Sequence, residues 1–162
     1  MFAFVSVILL NAAAIHRVGM TRLFNSVDIN GNLDSTTTFT LFVPVNEAMV
    51  EAGLTFDTIE EMADETLQNI IKSHIMIDSM KVEDLSCGDQ YESMLSSTIG
   101  KDNSAYSQSL LKVDCMEILE SETKSISGFY NTDLRNQPTI LSPYDISLCN
   151  GYVQPIDHII QS

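Results

Sequence analysis

The chain has 162 residues, 44% of them hydrophobic and 19% charged, a length and balance that suit a single domain with its own core and exclude a disordered segment. Twenty-two acidic residues against eight basic ones give a formal net charge of −14. A surface of that sign repels phosphate backbones and anionic lipid, so no nucleic-acid partner and no direct membrane contact are expected.

The opening MFAFVSVILLNAAA runs apolar from Phe2 to Leu10 and then through Ala12 to Ala14. Residues 1–14 therefore resemble a signal segment, but no basic residue precedes the run and it is too short to span a bilayer. The competing reading is a first helix that continues past Ile15 and Val18 and stops at Gly19. The spacing predicts a helix over residues 5–18. Next, Asp28, Asn30, Asn32 and Asp34 fall at the first, third, fifth and seventh places of a calcium loop. Leu33 stands where that loop needs Gly, and Phe39 where it needs a closing carboxylate, so the stretch reads as a plain loop. A calcium-responsive structural protein acting through Asp28–Asp34 is kept as an alternative.

FTLFVPV is dense in β-formers and reads as a buried strand. Asn46 is expected to cap a short helix, EAMVEAG, closed by Gly53. From Phe56 to Ile77 the apolar residues recur at helical spacing, first as Phe56, Ile59, Met62 and Ala63, then as Leu67, Ile70, Ile71, His74 and Ile75. Two helices are expected, with a break between Ala63 and Thr66. His74 lies on the apolar stripe and reads as a core residue with its ring nitrogens hydrogen-bonded. After Val82 the signals become short and strand-like: LSCGDQYESMLSS, SLLKVDCMEIL, KSISGFYN, TILSPYDI and YVQPIDHII. A helical first half and a β-rich second half make one α+β domain over residues 1–162, with no internal repeat.

The closing CNGYVQPIDHII poses the question of chemistry. Asn150 and Gly151 supply left-handed turn residues before a strand. Pro155 lacks an amide to donate, which implies an edge position or a bulge. Asp157, costly to bury alone, is expected to accept hydrogen bonds that pin the strand. Cys149, Asp157 and His158 can be imagined as nucleophile, orienting acid and base, the basis of an alternative reading as a cysteine-dependent hydrolase. Neighbours on a strand point to opposite faces, so Asp157 and His158 are not expected to orient one another. There is no Gly-x-Ser-x-Gly elbow, phosphate-cradling loop or His-Glu metal motif. No catalytic residue, cofactor or metal ligand set is expected.

Three stretches in order resemble the fasciclin domain family: TLFVPVNEAM at 40–49, LQNIIKSHIM at 67–76 and NGYVQPIDHII at 150–160, with RVGMTRLF at 17–24 similar to the end of that family's first helix. The likeness covers about residues 7–161. It implies a β-sandwich-like wedge of short strands with several short helices packed on it. It also implies a non-catalytic adhesion module, extracellular or at the cell surface, contacting a cell-surface or extracellular-matrix protein or, as in some relatives, carbohydrate. Membrane association would come only through an anchor or a neighbouring domain. The likeness makes Asp145 and Ile146, in SPYDISLCNG, the candidate partner-binding pair, against the plainer reading of a turn acid and a core strand residue. Asn46, His74, Asn150, Gly151 and Asp157 are the structural motif residues. Three departures stand out: Val45 where a Thr or Ser is usual, Ser73 where an aromatic precedes the His, and Gln154–Pro155 where His-Val is usual.

The three cysteines show no paired short spacing of the kind a structural zinc uses. In an oxidising compartment, Cys87 with Cys115 is the preferred disulfide, because neighbouring β segments meet most easily, with Cys87–Cys149 close behind. No Asn-x-Ser/Thr sequon occurs.

Overall fold

The computed structural model describes residues 38–99, 101, 105–106, 109–118, 121–127 and 136–161, and elements are numbered within these. The helix expected over 5–18, the signal-like segment 1–14 and the Asp28–Asp34 loop lie outside the described residues.

Strand β1 (Phe39–Pro44) is buried along its whole length. It sits between β2 (Ile75–Ile77), antiparallel to it, and β7 (Gly151–Ile156), parallel to it, in a four-stranded sheet of order β2-β1-β7-β6. The fourth strand, β6 (Ile146–Ser147), pairs antiparallel with β7. A three-stranded antiparallel sheet holds β3 (Gln90–Tyr91), β4 (Leu111–Ile118) and β5 (Ser121–Ser127). The fold is thus α+β with two sheets and short helices.

Alternation along β1 explains its unbroken apolar run. Phe39, Leu41 and Val43 face one core cluster with Met49, Ile59, Leu67 and Ile71 from the helices and Leu54 from the connection between the first two. Phe42 faces a second cluster with Leu111, Val113 and Ile126 from the other sheet. A strand covered on both faces gains nothing from polar residues on either, so period-2 patterning disappears. The strand is the middle layer between helices and second sheet.

Helix α1 (Asn46–Glu51) follows β1 directly. Its cap position is Val45, without a side-chain cap bond, and Asn46 is the first helical residue. This corrects the capping role expected of Asn46. The Val45 N–H donates to the Ile156 carbonyl at 2.9 Å, so the β1–β7 ladder holds Val45 extended and the helix starts one residue later. Gly53, at φ 73°, ends the turn in a left-handed conformation that suits a residue without Cβ. Helix α2 (Phe56–Glu61) opens on a capping box between Thr55 and Thr58, and α3 (Asp64–Ser73) follows. The break falls at Met62–Ala63, both extended, slightly ahead of the expected one. The helix ends at His74, and Ile75–Ile77, read as helical from periodicity, form β2 because they pair with Leu41, Thr40 and Phe39.

The segment LSCGDQYESMLSS is strand-like only at β3. Helix α4 (Met94–Ile99) occupies its end, started by Ser93, whose hydroxyl accepts the Ser96 N–H at 3.0 Å. Pro155 also departs from expectation, since β7 is an interior strand. The Pro155 carbonyl accepts from Leu141 N–H on the side away from β1, and the β6 ladder stops at Val153. The missing amide therefore faces past the end of β6 and breaks no β1 pairing.

Candidate functional site

Asp145 sits just before β6 at φ 56°, a left-handed conformation that Asp tolerates better than most residues. Its Oδ1 accepts from the Val82 N–H at 2.9 Å and from Gln154 Nε2 at 2.6 Å, while its own N–H donates to Gln154 Oε1 at 2.8 Å. Gln154 is fully buried on β7. A buried amide satisfied on both sides is a strong local constraint, because breaking either side strands a desolvated group. The carboxylate of the candidate partner-binding pair is therefore engaged inside the fold. Ile146 is half-buried, opposite Val153, and packs against the first cluster. Beside them Tyr144 stays 53% exposed and, with Val50, is one of two exposed large hydrophobic residues among the described residues.

Gly151 opens β7 directly opposite Phe39. A Cβ there would collide with the Phe39 carbonyl oxygen. Close backbone approach is the reason for glycine at this position, which corrects the expectation of left-handed turn residues: the described left-handed residues are Gly53, Asp78, Gly88 and Asp145. The Asn150 carbonyl accepts the Phe39 N–H at 3.2 Å, extending the same ladder.

His74 is fully buried at the end of α3. Its Nδ1 donates to the Ile70 carbonyl at 2.7 Å, and its Nε2 accepts the Ile160 N–H at 3.1 Å. These partners fix one neutral tautomer. Burial pushes the ring's pKa down to about 4, against a smaller opposing effect of the Ile70 carbonyl. The ring ties α3 to the end of the chain.

Asp157 Oδ1 accepts the Thr139 N–H at 2.6 Å, and the Asp157 N–H returns a bond to the Thr139 carbonyl at 3.2 Å. His158 Nδ1 lies 2.9 Å from the same Oδ1. The two side chains do meet, contrary to the opposite-faces expectation, because β7 ends at Ile156 and the chain bends after it. Cys149, exposed and free, precedes β7 at its other end. Six extended residues separate the thiol from the Asp157–His158 pair by on the order of 20 Å. The arrangement needed for a thiol nucleophile and its base is not assembled.

A disulfide joins Cys87 to Cys115, with Cα atoms 5.5 Å apart, and fastens the loop before β3 onto β4. Nearby, Glu92 accepts from Lys101 Nζ at 2.8 Å and from the Tyr106 hydroxyl at 2.6 Å. The Lys101 bond, then the Tyr106 bond, hold the Glu92 carboxyl below its ordinary pKa. Glu92 in turn raises both Lys101 and Tyr106. The cluster is solvent-exposed, so its contribution to stability is small. Gln154 and Ser93 carry organising roles that sequence reasoning missed. Gln154 had one signal, a long polar amide inside an apolar closing strand.

Helices α1 to α3 present Glu47, Glu51, Asp57, Glu60, Glu61, Asp64 and Glu65 to solvent, which places much of the chain's negative charge on the helical side. Among the described residues no helix is long and apolar enough to cross a membrane, and no group of three or more His, Cys, Asp or Glu could hold a metal ion.

The family described as the fasciclin domain matches residues 19–162. A solved structure, the FAS1 domain pair of the insect cell adhesion molecule fasciclin I, superposes with a TM-score of 0.60 at 16% identity, over 88% of this chain and 45% of that one. The chain thus spans less than half the length of that domain pair, and at this identity the likeness concerns the fold. No curated protein sequence matches. With the family match running from Gly19 to the last residue and the two-sheet fold agreeing with it, the chain belongs to the fasciclin domain family.

Proposed function

We propose that the chain is a non-catalytic interaction module, displayed outside the cell or at its surface, that binds a protein or matrix partner. The family match over residues 19–162 carries this reading. The structural neighbour's origin in a cell adhesion molecule supports it. So does the Cys87–Cys115 disulfide, a bond that persists in oxidising compartments. The buried polar side chains Gln154 and His74 have their hydrogen bonds inside the fold, which suits a scaffold more than a reaction centre. In this reading Asp145 and Ile146 act by holding the 142–144 loop in place, and Tyr144 supplies the exposed contact.

Secretion from a eukaryotic host followed by non-reducing peptide mass spectrometry tests the location. The expected result is exported protein with Cys87 linked to Cys115 and Cys149 free. Retention in the cytosol with three free thiols would overturn it.

A further inference from the structure

The last residues are held to the core by a bond whose acceptor can take up a proton. His74 Nε2 accepts the Ile160 N–H, while Nδ1 is already donating to Ile70. A protonated imidazole donates from both nitrogens. Its new Nε2–H would face the Ile160 N–H, donor against donor, in a fully buried site where water cannot step in. Ile160 fills part of the second core cluster, so the bond and the apolar contact hold the same residue. The segment has a natural hinge. Asp157 is anchored to Thr139 through two bonds, and beyond it, among the described residues, the bond to His74 is what holds the backbone of 158–161.

We propose that His74 and the C-terminal segment form an acid-released latch, in which protonation at Nε2 breaks the bond to Ile160 and lets residues 158–161 swing out about Asp157. The proton comes from solvent during brief openings and stays on the exposed ring. Release presents Ile159 and Ile160 to solvent and uncovers the second core cluster beside Phe42 and Met76.

Among the described residues, little else near the ring titrates. Strands β1 and β2 and helix α4 contain no titratable residue, and β7 contributes only Tyr152. On α3, Lys72 is next to Ser73 on the last turn, and Asp64 and Glu65 lie at the far end. On the segment itself, Asp157 and His158 bond to each other and are only half-buried. Burial, rather than a neighbouring charge, keeps the ring neutral when the latch is closed.

Amide hydrogen exchange on the full chain between pH 7 and pH 4, corrected for intrinsic rates, tests the latch. The protection factor of Ile160 is expected to fall about tenfold per pH unit below about 6.5. That of Val113, bonded to the Asp89 carbonyl in the other sheet, should stay at least about tenfold higher than that of Ile160 at every pH, because its exchange requires the whole domain and not only the latch to open. His74→Gln offers a non-titrating acceptor and should make Ile160 protection independent of pH. A flat Ile160 profile in the unmodified chain would overturn the latch, as would protection of Ile160 equal to that of Val113 at every pH. The unmodified chain alone decides the matter if the variant does not fold.

Discussion

Gln154 and Asp145 hold each other from both directions: the amide nitrogen of Gln154 donates to the Asp145 carboxylate at 2.6 Å, and its amide oxygen accepts the Asp145 N–H at 2.8 Å. The same carboxylate oxygen takes the Val82 N–H at 2.9 Å, so the Gln154–Asp145 pair ties β7 to the turn before β6 and to the segment after β2. Gln154→Leu keeps the size and removes both bonds. It should lower stability by about 2–3 kcal/mol in urea unfolding, because Asp145 is left partly desolvated. Gln154→Glu sets two carboxylates against each other and should be at least as damaging at pH 7. Part of that loss should return as the pH is lowered through the carboxylate range.

Gly151→Ala drives a methyl group into the Phe39 carbonyl. The contact is with backbone in the parallel β1–β7 pair, so neither side can rotate away. A loss of about 3 kcal/mol is expected, with the thermal midpoint lowered accordingly. An unchanged midpoint would show that the two strands can separate at this point without cost.

The Cys87–Cys115 bond closes a loop with a sequence separation of 28. Loop closure of that length stabilises by about 3.5 kcal/mol in the chain-entropy account. The paired variant Cys87→Ser with Cys115→Ser should unfold at correspondingly lower urea concentration, and a reducing agent should bring the unmodified chain to the same midpoint. Cys149→Ser, at an exposed free thiol, should shift stability by no more than about 0.5 kcal/mol.

His74 contributes a pH dependence of known sign. Its pKa is about 4 in the fold against 6.5 for an ordinary imidazole, so the unfolded chain binds the proton first. Its stabilising contribution is complete above about pH 6.5 and declines as the pH falls toward 4, by about 3 kcal/mol in all. Urea unfolding of the unmodified chain and His74→Gln across pH 7 to 4 isolates the effect. Their stability difference should change in that window and stay level above it.

Much of the helical side was legible in the sequence. The stripe Leu67, Ile70 and Ile71 repeats at a helical period because α3 buries only one face. Strand β1 was equally readable, since a strand covered on both sides has no reason to include polar residues. The misreadings came where distant partners overrule local preference. Asn46 is a good cap, yet Val45 takes the position because Ile156, over a hundred residues away, holds its N–H. Ile75 to Ile77 fit a helical stripe but pair with β1. The tie between Asp145 and Gln154 depends on a β6–β7 register that no local pattern encodes. Asp157 and His158 meet because the strand stops at Ile156, a boundary set by β1's length rather than by their own types.

The most direct test of the interaction-module account is adhesion itself. Beads carrying the secreted, disulfide-bonded chain are offered to matrix proteins and to living cells, with soluble chain as competitor. The account predicts saturable retention on a cell surface or matrix protein that the soluble chain competes away, that Tyr144→Ala weakens at least threefold, and that Cys149→Ser and His158→Ala leave unchanged. Absence of retention on every surface, or retention that depends on the Cys149 thiol, would contradict it.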